Sequence, residues 1–322
     1  MQRILITGGA GFIGSNLSEY FLHKGYAVRC LDNFSIGFRK NIIPFLDYSN
    51  YELIEGDIRN SEDCKKAVKD ADFVLHQAAL GSVPRSIKDP QTTNDVNISG
   101  FLNMLIASRD AKVKRFIYAT SSSAYGDSES LPKIEDHIGH PLSPYAVTKY
   151  VNELYADVFN RIYGLETIGL RYFNVFGPKQ DPHGNYAAVI PLFIKKLIAH
   201  ESPVINGDGN HSRDFTYIDN IIQMNEKAML VKEADALNTI YNVAVGEQTS
   251  LNELVVLLKD LLKKYDPDIE QVKIIYGSER AGDIPHSLAS VEKAQKYLDY
   301  KPTHNIYQGL KESIDWYWKN LR

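Results

Sequence analysis

Tyr145 and Lys149 stand four residues apart in Tyr145-Ala146-Val147-Thr148-Lys149, a spacing that puts a phenol and an ammonium side by side on one helix face. Upstream, an apolar run ends in the hydroxyl cluster Ser121-Ser122-Ser123-Ala124-Tyr125-Gly126. A hydrogen-bonding hydroxyl, a titratable phenol and a cation can together take a proton off an alcohol while a cofactor removes the hydride. An adjacent ammonium favours phenolate over phenol, and a positively charged nicotinamide would lower the phenol pKa further. Such tuning is what a general base requires near neutral pH.

These groups need a frame. Pro144-Tyr145 starts an amphipathic helix through about Tyr163, with Tyr150, Val151, Leu154, Tyr155, Val158 and Phe159 as its apolar faces. At the other end of this half, Ile4-Leu5-Ile6-Thr7 reads as a buried strand, followed by Gly8-Gly9-Ala10-Gly11-Phe12-Ile13-Gly14 and a helical pattern. Gly8, Gly11 and Gly14 permit a tight turn, close approach to a pyrophosphate and close helix-on-strand packing. Phe12 and Ile13 open a helix whose N-terminus would face the phosphates.

The second apolar run, Ala27 to Leu31, ends at Asp32. A carboxylate there can accept both ribose hydroxyls and would repel a 2'-phosphate, which predicts NAD rather than NADP. Asn33, Ser35 and Gly37 form a polar loop suited to the adenosine edge, with Arg39 and Lys40 close by as the argument for a phosphate. Further strands at 51–54, 73–75 and 115–119 alternate with helical stretches, so the fold class expected is α/β, a doubly wound parallel sheet of the Rossmann type. Three strand ends then share one rim: Gly56-Asp57-Ile58, His76-Gln77-Ala78-Ala79-Leu80 and Thr120 to Ser123. Asp57 could cap the next helix or meet the adenine amino group; Gln77, Ala78 and Ala79 suit a backbone lying against a flat cofactor. His76 reads as a hydrogen-bonded rim or core histidine, and no histidine spacing suggests a metal site.

The chain has 322 residues, 44% hydrophobic and 24% charged, with net charge -4. That describes a globular protein with no electrostatic reason to bind nucleic acid or an anionic membrane. Cys30 and Cys64 suggest buried thiols rather than a disulfide framework. No apolar run nears the roughly 18 residues of a membrane span, and Met1 leads straight into a strand pattern, so the cytoplasm is the expected compartment. Asn97-Ile98-Ser99 and Asn210-His211-Ser212 match the glycosylation sequon, read here as chance.

Gly8-x-x-Gly11-x-x-Gly14, Asp32, Ser121-x-x-x-Tyr125-Gly126, Tyr145-x-x-x-Lys149 and Arg171-Tyr172-Phe173-Asn174-Val175-Phe176-Gly177 closely resemble the extended short-chain dehydrogenase/reductase family of nucleotide-sugar enzymes, over nearly the whole chain. The resemblance implies that Ser121, Tyr145 and Lys149 are catalytic, and the alignment on Tyr125-Gly126 places Ser122 and Ser123 against the sugar. Where 4,6-dehydratases carry an Asp-Glu pair this chain has Ser122 and Ser123, and the patterns of decarboxylases and GDP-mannose dehydratases are absent. What remains resembles the UDP-sugar 4-epimerases. Gly81-Ser82-Val83-Pro84-Arg85-Ser86 and Pro141 to Tyr150 resemble the subgroup acting on UDP-N-acetylglucosamine, UDP-N-acetylgalactosamine and their uronic acids, enzymes of polysaccharide biosynthesis.

The same resemblance implies that Ser82 and Asn174 touch the substrate, that Ala188 and Val189 line the uridine, and that Arg213 and Arg280 grip the diphosphate, as guanidinium groups can in bidentate fashion. Asp283 would bind the uridine ribose. Ser287 would stand where a bulky tyrosine restricts some epimerases to glucose and galactose, leaving room for an N-acetyl group. Gly207 to Phe215 reads as a hairpin-like turn leading to Arg213. The domains expected are 1–176, binding NAD, and 177–322, smaller and binding the UDP-sugar, with parts of 214–247 returning to the main sheet through Ile240 to Ala244. Helices are expected at 251–264 and 306–318, and apolar surface on the helices near 95–108 and 145–162 predicts a homodimer. A related dehydratase or decarboxylase and a non-catalytic dinucleotide-sensing protein are the alternatives.

Overall fold

The computed structural model describes residues 1–182, 188–278 and 285–322. One sheet contains β1 (Arg3–Thr7), β2 (Ala27–Asp32), β3 (Tyr51–Glu55), β4 (Phe73–His76), β5 (Arg115–Ser121), β6 (Thr167–Tyr172) and a seventh strand, Thr239–Val243. All neighbours are parallel, in the order Thr239–Val243, β6, β5, β4, β1, β2, β3. The order reverses at β1 and β4, and a doubly wound sheet opens its ligand crevice at the carboxyl ends beside such a reversal.

Side chains alternate between two buried faces. Ile4, Ile6, Leu75, Ile117 and Leu170 pack with α1 (Phe12–His23) on one side, whereas Leu5, Val74, Phe116 and Tyr118 pack on the other with α2 (Ser61–Val68). Burial on both faces explains why these strands read as nearly continuous apolar runs. β6 escaped that pattern because it carries Gly169 and the buried Arg171. A Cβ on Gly169 would lie 2.7 Å from the Tyr118 hydroxyl, so the neighbouring aromatic fixes glycine there.

Two short helices, α3 (Val83–Lys88) and α4 (Pro90–Asn94), lead through a wide π turn at Asp95–Gly100 into α5 (Phe101–Asp110). The longest helix, α6 (Pro144–Tyr163), has defined ends. Ser143 caps it by accepting from the Ala146 N–H, Pro144 occupies its first turn, and left-handed Gly164 terminates it. Val147, Leu154 and Ile162 on α6 remain exposed. Asn97 of the π turn is buried, so the sequon there is not a surface acceptor.

After β6 the chain adds α7 (Val189–Ile198), α8 (Ile218–Leu230) and helices Leu251–Leu262, Glu292–Leu298 and Ile306–Leu321. Short pairings connect this part: Ser212–Arg213 with Thr249–Ser250 antiparallel, and Val204–Asn206 with Ile275–Gly277 parallel. The 204–206 and 212–213 strands therefore pair with different partners, and the expected hairpin does not form. Instead the 285–290 segment lies against the second of them, with the Ser287 N–H donating to the Ser212 carbonyl at 3.1 Å.

Candidate active site

At the carboxyl rim of the sheet lies a cavity of about 390 Å³. Gly8, Gly11, Phe12, Ile13, Gly14, Asp32, Asn33, Ser35, Gly37, Asp57, Ile58, Gln77, Ala78, Ala79 and Ser82 all line it. The glycines have separate reasons. Gly8 has φ +68 and its absent Cβ would approach the Ala78 amide nitrogen to 2.8 Å; that of Gly14 would come within 2.2 Å of the Gly8 carbonyl oxygen. Gly11 caps α1 without a side-chain hydrogen bond, and the first turn carries no acidic residue. Its amides and the positive end of its dipole face the cavity as an anion site.

Asp32 is buried at the end of β2, accepting from Ala10 N–H at 2.9 Å and Phe34 N–H at 2.8 Å. Burial raises its pKa despite those two bonds, so donors from a bound diol would favour the ionised form. Asp57 does not cap α2; Asn60 does, accepting from Glu62 N–H. The Asp57 carboxylate instead takes the Arg59 guanidinium at 2.6 Å and the Asn33 amide at 2.8 Å, and mainly through Arg59 its pKa falls to about 2. Arg39, the feared phosphate ligand, pairs with Glu55. The fit to an NAD-like dinucleotide thus rests on cradle, helix terminus and carboxylate together.

β5 delivers Ser121 to its last position, where the Oγ accepts from Ser123 N–H at 3.1 Å and from Ser123 Oγ–H at 2.9 Å, opening a tight turn through Ser122 and Ser123. Tyr145 lies in the first turn of α6 and shares a side-chain hydrogen bond with Ser121. Burial raises the phenol pKa and the Ser121 bond only partly opposes it, contrary to the tuning expected from the Tyr-Lys spacing. The Lys149 ammonium is turned to the Ala119 carbonyl at 2.8 Å. Burial lowers the Lys149 pKa to about 8, although Glu153 one turn on pulls it upward. Glu153 itself is locked at 2.7 Å by Arg171 and by Thr120 Oγ1. His76 is a core residue: its Nδ1 meets Thr7 Oγ1 at 2.9 Å and its ring stacks on Phe116.

The residues missed from sequence include Leu31, Ile36, Val96 and Asp181, which line the cavity together with Gly56 and Leu80 of the expected rim and with Gly81 and Arg85. Asn97 is another, since its amide accepts from Leu80 N–H at 2.8 Å and donates to Thr148 Oγ1 at 3.1 Å, joining the rim to α6. A helix periodicity gives no sign of it, because the π turn displaces it.

Ser82 caps α3 through Arg85 N–H. Asn174 has φ +34 and donates from its amide to the Asp214 carbonyl at 3.0 Å. Ala188 precedes α7 and Val189 begins it. Arg213 Nη1 donates to the Ser212 and Pro285 carbonyls at 2.9 and 3.1 Å. Arg280 and Asp283 lie outside the described residues. Among the described residues there is no cluster of three or more acidic, histidine or cysteine side chains able to hold a metal, and no helix long and apolar enough to cross a membrane.

Residues 4–244 match the model of the NAD dependent epimerase/dehydratase family. Among solved structures, the chain is 38% identical to a UDP-N-acetylglucosamine 4-epimerase from Methanobrevibacter ruminantium M1 in complex with UDP-N-acetylmuramic acid, covering 99% of this chain and 98% of that one, with TM-score 0.91. It is 34% identical to the Thermotoga maritima UDP-glucose 4-epimerase with UDP-glucose, over 100% of both chains and TM-score 0.91. A UDP-glucuronic acid 4-epimerase from Bacillus cereus, in complex with UDP-glucuronic acid and NAD, is 32% identical over 100% of both chains, with TM-score 0.89.

Proposed function

The chain belongs to the NAD dependent epimerase/dehydratase family, as an enzyme of the UDP-sugar 4-epimerase group that uses NAD, and from that premise we propose that it interconverts UDP-N-acetylglucosamine and UDP-N-acetylgalactosamine at C4. The observation that carries this reading is the hydroxyl turn Ser121-Ser122-Ser123 facing Tyr145, with no carboxylate in the turn to drive an elimination. In this reading Tyr145 takes the proton of the sugar 4-hydroxyl, and Ser121 holds the phenolate by a hydrogen bond. Lys149 anchors the local charge from its seat on the Ala119 carbonyl. Bound NAD supplies reversible hydride acceptance at C4. Once the 4-keto sugar has presented its other face, C4 regains the hydride and Tyr145 returns the proton to the oxygen, so no net oxidation occurs.

The glycine turn, the α1 terminus and Asp32 hold the cofactor; Ser82, Ser122, Ser123, Asn174, Ala188, Val189, Arg213, Arg280 and Asp283 bind the UDP-sugar, and the small Ser287 admits the acetamido group. The dinucleotide half is taken as 1–176 and the substrate half as 177–322, with part of 214–247 in the main sheet. The uronic acids and UDP-glucose/UDP-galactose are secondary substrates in this reading. The enzyme works in the cytoplasm as a homodimer joined through the helices near 95–108 and 145–162, the second of which bears the exposed Val147, Leu154 and Ile162; sedimentation giving only monomer at micromolar concentration would remove the dimer.

The deciding experiment incubates the purified protein with UDP-N-acetylglucosamine and no added cofactor. Appearance of the C4 epimer is expected. No epimer from it, from its galacto isomer or from either uronic acid would sink the proposal.

A further inference from the structure

A carboxylate outside the reaction centre holds the substrate half together. Asp214 is fully buried, directly after Arg213. Its Oδ1 accepts from Val245 N–H at 3.0 Å, and its Oδ2 from Gly246 N–H at 2.9 Å and Ala289 N–H at 3.3 Å. Val245 and Gly246 follow the seventh strand of the main sheet, and with Gly246 at φ +84 their successive N–H groups converge on one anion. Ala289 sits two residues beyond Ser287. The Asp214 backbone carbonyl accepts from the Asn174 side chain, so four separated stretches of chain meet on this one residue.

We propose that Asp214 is a positioning residue for substrate binding: its carboxylate fixes the strand bearing Arg213, the segment bearing Ser287 and the rim of the main sheet in one register, so that the UDP diphosphate meets a preformed clamp. This rests on the reading of Arg213 and Ser287 given above. The other fastenings are each partial: Thr216 Oγ1 donates to the Val243 carbonyl at 3.4 Å and ties this stretch to the sheet, but not to the segment bearing Ser287. Ser212 and His286 bond each other at 2.8 Å and Arg213 bonds the Pro285 carbonyl, but these link the strand to the segment and not to the sheet. Asn242 bonds the Ser290 carbonyl at 3.0 Å and reaches the sheet, yet it leaves the Arg213 strand untouched.

Burial holds the Asp214 pKa at about 6, with Glu247 adding to the rise. The other titratable or charged groups on the packed elements are Arg213, His286, Lys133, which bridges to Ala289, and Tyr300, which bonds the Ala244 carbonyl. The sign follows from the raised value. Protonation near pH 6 favours the folded chain over the unfolded one, so global stability does not fall through this group. What is lost is local, because a protonated oxygen no longer accepts from an amide. UDP affinity should therefore weaken on acidification while the melting temperature shows no matching loss.

The test is titration calorimetry of the terminal methyl ester of UDP, whose diphosphate carries no group titrating in this range, against the NAD-loaded protein from about pH 8 to about pH 5, where full coupling to one group approaches a tenfold loss per pH unit below its pKa. Asp214→Asn should bind this ester about tenfold more weakly at pH 8, lose the pH dependence, and keep its NAD content and its kcat at saturating substrate. An Asp214→Asn protein with wild-type affinity and wild-type pH dependence overturns the inference. If that variant does not fold, wild-type affinity decides alone, and a flat profile overturns the inference. Because UDP binding needs no turnover, a protein that binds UDP but epimerises nothing removes the proposed function and leaves this result to stand or fall separately.

Discussion

The cofactor rim and the substrate half are built by different means. The rim is made of strand ends, each placed by its own strand. Gly8, Asp32, Asp57 and Gln77 each lie on or within two residues of the strand that presents them. The substrate half is suspended by side chains gripping distant backbone: Asn242 holds Lys133 and Ser290, Asn174 holds Asp214, and Asp214 holds Val245, Gly246 and Ala289. A rim made this way tolerates changes beyond its turns, whereas a suspended half transmits them. Cofactor retention and substrate affinity should therefore be separable by mutation, and catalysis, at the seam, should depend on both.

The largest effect should come from the seam. Tyr145→Phe is expected to cost about a thousandfold in kcat by removing the proton-transfer group, with bound NAD unchanged. Turnover near the wild-type rate would move the base elsewhere. Next, Asp32→Ala should lower NAD retention about a hundredfold by removing a buried charged acceptor, measured as cofactor released on gel filtration, while the apoprotein's UDP affinity holds. Equal losses of both ligands would erase the contrast between the halves. Ser287→Tyr should raise KM for UDP-N-acetylglucosamine about tenfold, a loss typical of a crowded pocket, and spare UDP-glucose. If both sugars suffer alike, the wall lies elsewhere.

The smallest effect is in pH. Lys149 is depressed to about 8 by burial, so its ammonium is lost as pH rises through that value and kcat should fall about twofold at pH 8, a limb that Lys149→Met abolishes. The folded chain binds this proton less tightly than the unfolded one, so between about 8 and the ordinary lysine value near 10.4 the Lys149 contribution to stability increases with pH. A melting temperature that falls there no less in wild type than in Lys149→Met would contradict this linkage.

The doubly wound sheet was legible because its strands are buried on both faces, which leaves uninterrupted apolar runs in the sequence. β6 shows the limit, since Arg171 is paired with Glu153 of α6 across the sheet face and Gly169 yields to Tyr118, and neither contact is local. The Tyr145 environment shows another. Spacing places Lys149 beside it, but whether the ammonium faces the phenol or Ala119 depends on where β5 ends. The suspended half was legible only through family resemblance; Asp214 and Asn242 carry no sequence signal because their partners, backbone groups and for Asn242 also the Tyr125 hydroxyl, lie dozens of residues away.

The π turn at Asp95–Gly100 bears on how this chain could change length. A π turn holds one residue more than the α-helix around it needs. Deleting one residue there would let α4 and α5 run together as a regular helix, turning everything on the trimmed side by about 100°. Asn97 would leave Leu80 and Thr148, or Phe101 would leave the core. The segment therefore acts as a frozen insertion, and a shorter version of this helix would have to find another way to fasten the rim to α6.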